Sequence, residues 1–248
     1  MTDTSNKTSR ATPGRDRLAK ARVAVVGIEE HSLIALAQLA DAGIGYIKVI
    51  DDRQVTAEDI SRAFFFFQSD EENQPRTSAA RNLIYRENKT TKVEVIDQKF
   101  DAHNAEQVLG GVDVVIDGLS NWQDKLLASD VCMQLKTPLV HAGLSGLDIQ
   151  VFCMIPTRSA CLRCVFAKLG MEDFAATTSA TNNGHPRLGP LAAIAGSLQA
   201  LECIKLLGDI GTVSPTRLMK IDGLRGDMLD FRELTPRSDC PDCGPSRL

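Results

Sequence analysis

Apolar residues along this chain fall into short continuous runs, separated by longer segments with helical spacing. Arg22-Val-Ala-Val-Val-Gly27 is such a run closed by glycine, and it predicts a parallel strand buried on both faces. Ser32 to Ala42 carries Leu33, Leu36, Ala37, Leu39 and Ala40 at near-helical spacing, predicting a helix that Gly43 stops. Tyr46 to Asp51 predicts a second strand ending in an acidic residue. The polar stretch 52–62 reads as a loop or short helix, and the four aromatics Phe64 to Phe67 as core or interface. Further strands are expected over Lys92–Asp97, Val112–Asp117, Pro138–Ala142, Ile149–Ile155, Thr216–Asp222 and Met228–Leu234. Helices are expected over Thr77–Glu87, Asn121–Leu135 and Leu191–Leu207, the last ended by Gly208. Phe174 to Arg187, rich in Thr, Ser, Asn, Ala and Gly, reads as a flexible crossover loop. No internal repeat is visible. Alternating strands and helices imply right-handed crossovers and a mostly parallel α/β sheet.

Composition narrows this picture. With 248 residues, 43% of them hydrophobic, the chain buries a sizeable core without disulfides. The net charge of −4, with Lys and Arg scattered, leaves no basic footprint for nucleic acid. No stretch approaches the roughly 18–20 apolar residues of a membrane span, so no membrane partner is expected. Residues 1–17 are polar, lack the apolar run of a secretory signal and read as a flexible N-terminal arm; residues 18–248 read as one domain. Of seven cysteines, Cys132, Cys153 and Cys203 sit in apolar surroundings and are expected to be buried, reduced thiols in a cytoplasmic setting.

The other four cysteines carry chemistry. Cys161-Leu-Arg-Cys164 and Cys240-Pro-Asp-Cys243-Gly244 are two C-x-x-C turns, and two such turns supply the four thiolates of a structural zinc tetrahedron. The alternatives are a redox pair or two disulfides; a redox pair usually opens a helix after a strand, a context missing around Cys240. Four thiolates leave no open position for water, so the metal is structural.

The strand ending at Gly27, the helix after it, and Asp51 about twenty residues on form the outline of a nucleotide-binding unit. The loop reads Gly27-Ile-Glu-Glu-His-Ser32, with only the first glycine of a G-x-G-x-x-G pattern. Glu29 and Glu30 bring negative charge where a helix N-terminus would meet phosphate. A unit of this shape that binds no nucleotide is the alternative.

Several segments resemble the ThiF/MoeB family, bacterial relatives of ubiquitin-activating enzymes. They are Leu188-Gly-Pro190 with Ala195 to Lys205, Asp222-Gly-Leu224, Cys240 to Gly244, Val23 to Gly27, Asp51 to Arg62 and Asp113 to Asn121. The resemblance spans roughly residues 14–244. It implies a doubly wound, mostly parallel, Rossmann-like sheet with a C-terminal antiparallel portion and a structural zinc. It also implies ATP, Mg²⁺, a dimer, and ATP-dependent adenylation of the C-terminal carboxylate of a ubiquitin-like or sulfur-carrier protein, or of a small biosynthetic substrate.

Carried over by resemblance, Gly27 lies in the nucleotide loop and Asp51 matches the ribose-binding carboxylate. Arg62 and Arg76 match phosphate-contacting cations, Arg76 standing where the family has Lys. Asp59 replaces an Asn. Asn121 is retained from a D-N pair whose metal-binding Asp is Ser120 here, and Lys125 replaces an Arg. Arg10, at a shorter spacing than the family's, would stand in for the arginine that one protomer supplies to its partner. Asn182 and Asn183 stand where some members carry a Cys, so thioester chemistry on that loop is not expected. In the structural alternative, Arg62 and Arg76 are salt-bridge partners and Asp51 caps a turn. His31, His141 and His185 show no ligand spacing and are assigned no chemistry. Two functions follow: an adenylating enzyme, or a non-catalytic subunit paired in a homodimer or heterodimer with an active paralogue. The zinc knuckles argue against a third, a dinucleotide-dependent oxidoreductase.

Overall fold

The computed structural model describes residues 14–62, 68–169 and 188–244, and the side chains of Arg62 and Asp70 are not described. Arg10, Phe64 to Phe67, and the crossover segment with Asn182, Asn183 and His185 lie outside the described residues.

The chain opens with a one-turn helix α1 (Arg15–Leu18), which overlaps the end of the expected arm and buries Leu18. It continues as β1 (Arg22–Val26), α2 (Glu30–Asp41), β2 (Tyr46–Ile50), α3 (Ala57–Arg62), α4 (Arg76–Glu87) and β3 (Lys92–Ile96). Next come α5 (Ala105–Leu109), β4 (Val114–Asp117), α6 (Trp122–Leu135), β5 (Leu139–Ser145) and β6 (Asp148–Met154). The last elements are α7 (Leu162–Lys168), α8 (Gly189–Gly208), β7 (Leu218–Asp222) and β8 (Met228–Phe231).

The eight strands form one sheet in the order β3-β2-β1-β4-β5-β6-β7-β8. The first five run parallel and β6, β7 and β8 antiparallel. The antiparallel portion begins at β6 because the two-residue turn Gly146-Leu147 can only reverse the chain, whereas parallel neighbours need a crossover. From β1 the chain winds outward to β3, then crosses back to place β4 on the other side of β1. That reversal opens a crevice beyond the carboxyl ends of β1 and β4.

Two apolar layers sandwich the sheet. One packs α2, α4 and α8 against Val23, Val25, Ile47, Val49 and Ile116. The other packs α5, α6 and α7 against Ala24, Val26, Val115 and Phe152. Fully burying one such aliphatic side chain stabilises by about 1.5–3 kcal/mol. Helix α8 corrects one expectation: its 20 residues are long and apolar enough to cross a membrane by composition. Less than half of it is buried, through residues such as Leu191, Ala195, Gln199, Ala200 and Cys203, while Ile194 and Leu201 are exposed. Gly196 lets it touch α2, since a Cβ there would lie 2.1 Å from the His31 carbonyl oxygen.

Cys132, Cys153 and Cys203 are buried free thiols, as expected; burial pushes Cys153 up to about 12 and the other two higher. The helices α5 and α7 are additions, at five and seven residues too short to show periodicity.

The crevice depends on backbone contact. Gly27 ends β1 at φ 78°, and a Cβ on it would lie 2.5 Å from the Gly118 carbonyl oxygen. A Cβ on Gly118 would lie 2.1 Å from the Gly27 oxygen. Neither backbone can yield without parting the two strands, so Gly118→Ala should cost roughly 2–3 kcal/mol or more of stability in urea unfolding. Gly189→Ala, in open space at the first turn of α8, should change stability by less than about 1 kcal/mol.

Candidate functional site

At the carboxyl end of β2, Asp51 is buried and fully engaged. Its Oδ2 accepts from the Ile28 amide at 2.7 Å and its Oδ1 from the Arg53 amide at 2.8 Å. The Arg53 guanidinium then covers both oxygens, Nε to Oδ1 at 2.9 Å and Nη2 to Oδ2 at 2.7 Å. Its remaining arm, Nη1, reaches Glu29 Oε1 at 2.5 Å. Burial works against the guanidinium charge, but Asp51 and Glu29 more than offset it and raise the Arg53 pKa.

Arg76 opens α4 beside this pair. Its Nη1 donates to the Ile28 carbonyl at 2.9 Å, and its Nη2 lies 2.7 Å from both oxygens of Asp59. Glu29 Oε1 is 4.0 Å from Arg76 Nη1. Burial opposes the Asp59 charge, yet hydrogen bonds from Thr56 and the Arg76 cation hold its carboxyl below the usual range. Asp51, Arg53, Glu29, Arg76 and Asp59 thus form one chain of ion pairs, three carboxylates against two guanidiniums. Glu29 is also the N-cap residue of α2 and Glu30 lies in its first turn, so this chain's own carboxylates meet the positive end of that helix.

Gly27, Asp51 and Arg76 therefore lie together, with Asp51 accepting from the amide two residues on and Arg76 in a salt bridge with Asp59, the contacts of the structural alternative. Asn121 is engaged elsewhere: it caps α6, its Oδ1 accepting from the Asp124 amide at 2.9 Å and its Nδ2 donating to Asp124 at 2.6 Å. Arg62 ends α3, and nothing is described of its side chain.

A cavity of about 100 Å³ lies next to the ion chain, sharing Glu29 with it and reaching Lys125, His141 and Gly143. Its floor is a buried polar cluster that spacing did not reveal. Asp117, at the end of β4, takes Lys125 Nζ at 3.0 Å on each oxygen, His141 Nδ1 at 2.6 Å and the Leu119 amide at 3.0 Å. Burial favours the neutral acid, but Lys125 and then His141 hold the carboxyl well below its usual range. Its backbone carbonyl faces His31 Nε2 at 3.3 Å and accepts from Gln199 Nε2 at 2.8 Å. Burial lowers His31 to about 4 and also lowers His141, so both rings are neutral at pH 7.

The four cysteines meet on the α7 side of the sheet, 79 residues apart across each pair. Cys161 is the N-cap of α7, and the second C-x-x-C is a turn in which the Gly244 amide donates to the Cys240 carbonyl at 3.0 Å. Their sulfurs all lie within 4.8 Å of one another and all four residues are buried. The Cys161–Cys240 and Cys164–Cys243 separations are 3.7 and 3.6 Å. A tetrahedron with metal–sulfur bonds of about 2.3 Å has edges of about 3.8 Å, so the donor set fits a metal ion. Backbone amides of Cys161 and Arg237 donate to Cys243 Sγ at 3.3 Å and Cys164 Sγ at 3.5 Å, favouring thiolates.

Comparison with known proteins places this geometry. A sequence model of the ThiF family matches residues 7–244. The SAMP-activating enzyme E1 of Haloferax volcanii is 32% identical over 236 residues, covering 93% of this chain and 83% of the relative. The sulfur carrier protein adenylyltransferase of Thermus thermophilus is 30% identical over 238 residues, covering 93% and 85%. Among solved structures, E. coli MccB with ATP superposes with a TM-score of 0.80 at 18% identity, covering 93% of this chain and 69% of MccB, a likeness of fold.

The neutral histidines set an acid limit. A group whose folded pKa lies below its unfolded value contributes stability above the unfolded pKa of about 6.5, and loses it as pH falls. His31 alone should cost roughly 3 kcal/mol between pH 7 and pH 4, read as a falling urea midpoint. His31→Gln, which keeps an N–H for the Asp117 carbonyl, should flatten that decline.

Proposed function

The chain belongs to the ThiF family, and from that premise we propose that it serves in the ATP-dependent adenylation of a carboxylate. The carboxylate is that at the C-terminus of a small ubiquitin-like or sulfur-carrier protein. One observation carries the reading: Gly27, Asp51 and Arg76 converge at the crevice between β1 and β4. Asp51 would hold the ribose, Arg76 and Arg62 the phosphates, and Mg²⁺ would spread the charge of the leaving pyrophosphate. The names of the relatives from Haloferax and Thermus, an E1 and a carrier-protein adenylyltransferase, support the substrate class. Zinc is the metal that best suits four thiolates, and it would clamp α7 to the C-terminal turn. The free, buried thiols support a reducing, cytoplasmic setting.

A second reading has its own observation. The carboxylate that would grip ribose is covered by Arg53, and the cation that would grip phosphate is held by Asp59. The residue in the metal-binding position is Ser120, which offers a hydroxyl and no charge. On this reading the chain is a non-catalytic subunit in a dimer, and a paralogue performs the chemistry.

Calorimetry with Mg-ATP on the isolated chain, followed by pyrophosphate exchange with a carrier ending in Gly-Gly, separates the two. Binding with exchange in the absence of any paralogue supports the enzyme and removes the subunit. No binding removes the enzyme. If ATP enters, Arg53→Ala should tighten it about tenfold, since it removes a competitor for Asp51 worth about 1.4 kcal/mol. Elemental analysis should find one zinc per chain, absent from Cys243→Ser.

A further inference from the structure

The floor of the cavity holds an acceptor with no donor among the described residues. His141 is 1% exposed, and its Nδ1 faces the ionised Asp117 carboxylate. A carboxylate only accepts, so Nδ1 carries the proton and Nε2 is the bare lone pair. That nitrogen has no hydrogen-bond partner among the described residues. Leaving such a group buried and unmet costs about 1–3 kcal/mol. The ring edge that carries it turns toward Gly143, another wall residue, whose missing Cβ would lie 3.4 Å from both Nε2 and Cε1.

Lys125 completes the pair. An ammonium has three N–H groups, and two of them go to the Asp117 oxygens at 3.0 Å. The third remains for the cavity, which Lys125 also lines. The floor therefore presents one acceptor and one donor side by side. Their charges are already balanced, because Asp117 neutralises Lys125 and the ring is neutral. Glu29 and Glu30 stand at the cavity wall as well, which disfavours an anion.

We propose that this cavity binds an uncharged amide group, its N–H donating to His141 Nε2 and its carbonyl accepting from Lys125 Nζ. A carboxylate has acceptors only and leaves Nε2 unmet. An ammonium has donors only and leaves Lys125 unmet. The cavity is partly open to solvent, so the donor–acceptor pair on its floor, and not its size, selects the amide. The site needs no nucleotide, so it stands or falls independently of adenylation.

Acetamide and acetate test it, being nearly equal in size and differing in N–H and charge. In the full chain labelled with ¹⁵N-histidine, long-range ¹H–¹⁵N correlation reads each ring nitrogen. The expected result is a lone-pair signal for His141 Nε2 that acetamide moves upfield to saturation and acetate does not. Gly143→Ala, which adds one methyl at van der Waals distance and leaves Asp117, Lys125 and His141 in place, should keep the tautomer and weaken the response at least tenfold. A protonated Nε2 in the free protein, no response to acetamide, an equal response to acetate, or an unchanged response in Gly143→Ala each overturns the proposal.

Discussion

One buried carboxylate ties the layers together. Asp117 is fully enclosed at the end of β4, and its side chain joins α6 through Lys125 and β5 through His141. Its carbonyl meets α2 through His31 and α8 through Gln199, on the opposite face of the sheet. Desolvating an isolated charge costs several kcal/mol, and only a complete set of partners repays it. The cluster is therefore all-or-none. If one partner moves, the rest inherit an unpaired charge, so both helix layers are held in one arrangement around the crevice. The close contact of Gly27 with Gly118 supplies the geometry, and Asp117 supplies the penalty for leaving it.

Two regions of the molecule use charge in opposite ways. The cysteine cluster gathers four like groups whose mutual repulsion, once ionised, asks for a cation. The chain Asp51–Arg53–Glu29–Arg76–Asp59 has found its opposite charges within the protein. Glu29 takes the place at the α2 N-terminus that an anion would otherwise take. Any phosphate entering here competes with a tethered carboxylate, whose local concentration is far higher than that of a free ligand. Both readings of the function turn on that competition.

Much of the fold was legible because its signals are local. The runs Val23 to Val26 and Val112 to Asp117 are buried strands by composition alone, and each C-x-x-C turn declares its chemistry within four residues. The mostly parallel sheet and its antiparallel end followed from the resemblance, the strand order needed the structure, and α5 and α7 have no sequence signal because five or seven residues cannot display a helical period. The site was half legible. Asp51 and Arg76 were visible by position, but the reach of Arg53 to Glu29 spans 24 residues and has no sequence signature. His31 and His141 lacked ligand spacing because their partner lies on a third element, and only the fold brings the three together.

The cysteine cluster has a consequence for what stability means in this molecule. It joins segments 79 residues apart, so a bound ion closes a long loop that the unfolded chain would otherwise leave open. An ion held by the native cluster and released on unfolding enters the folding equilibrium as a reactant. Each tenfold rise in its free concentration above the dissociation constant then adds about 1.4 kcal/mol. The free energy of folding thus becomes a joint property of the polypeptide and the metal supply of its surroundings, and a solution poor in metal would make the same sequence a weaker protein.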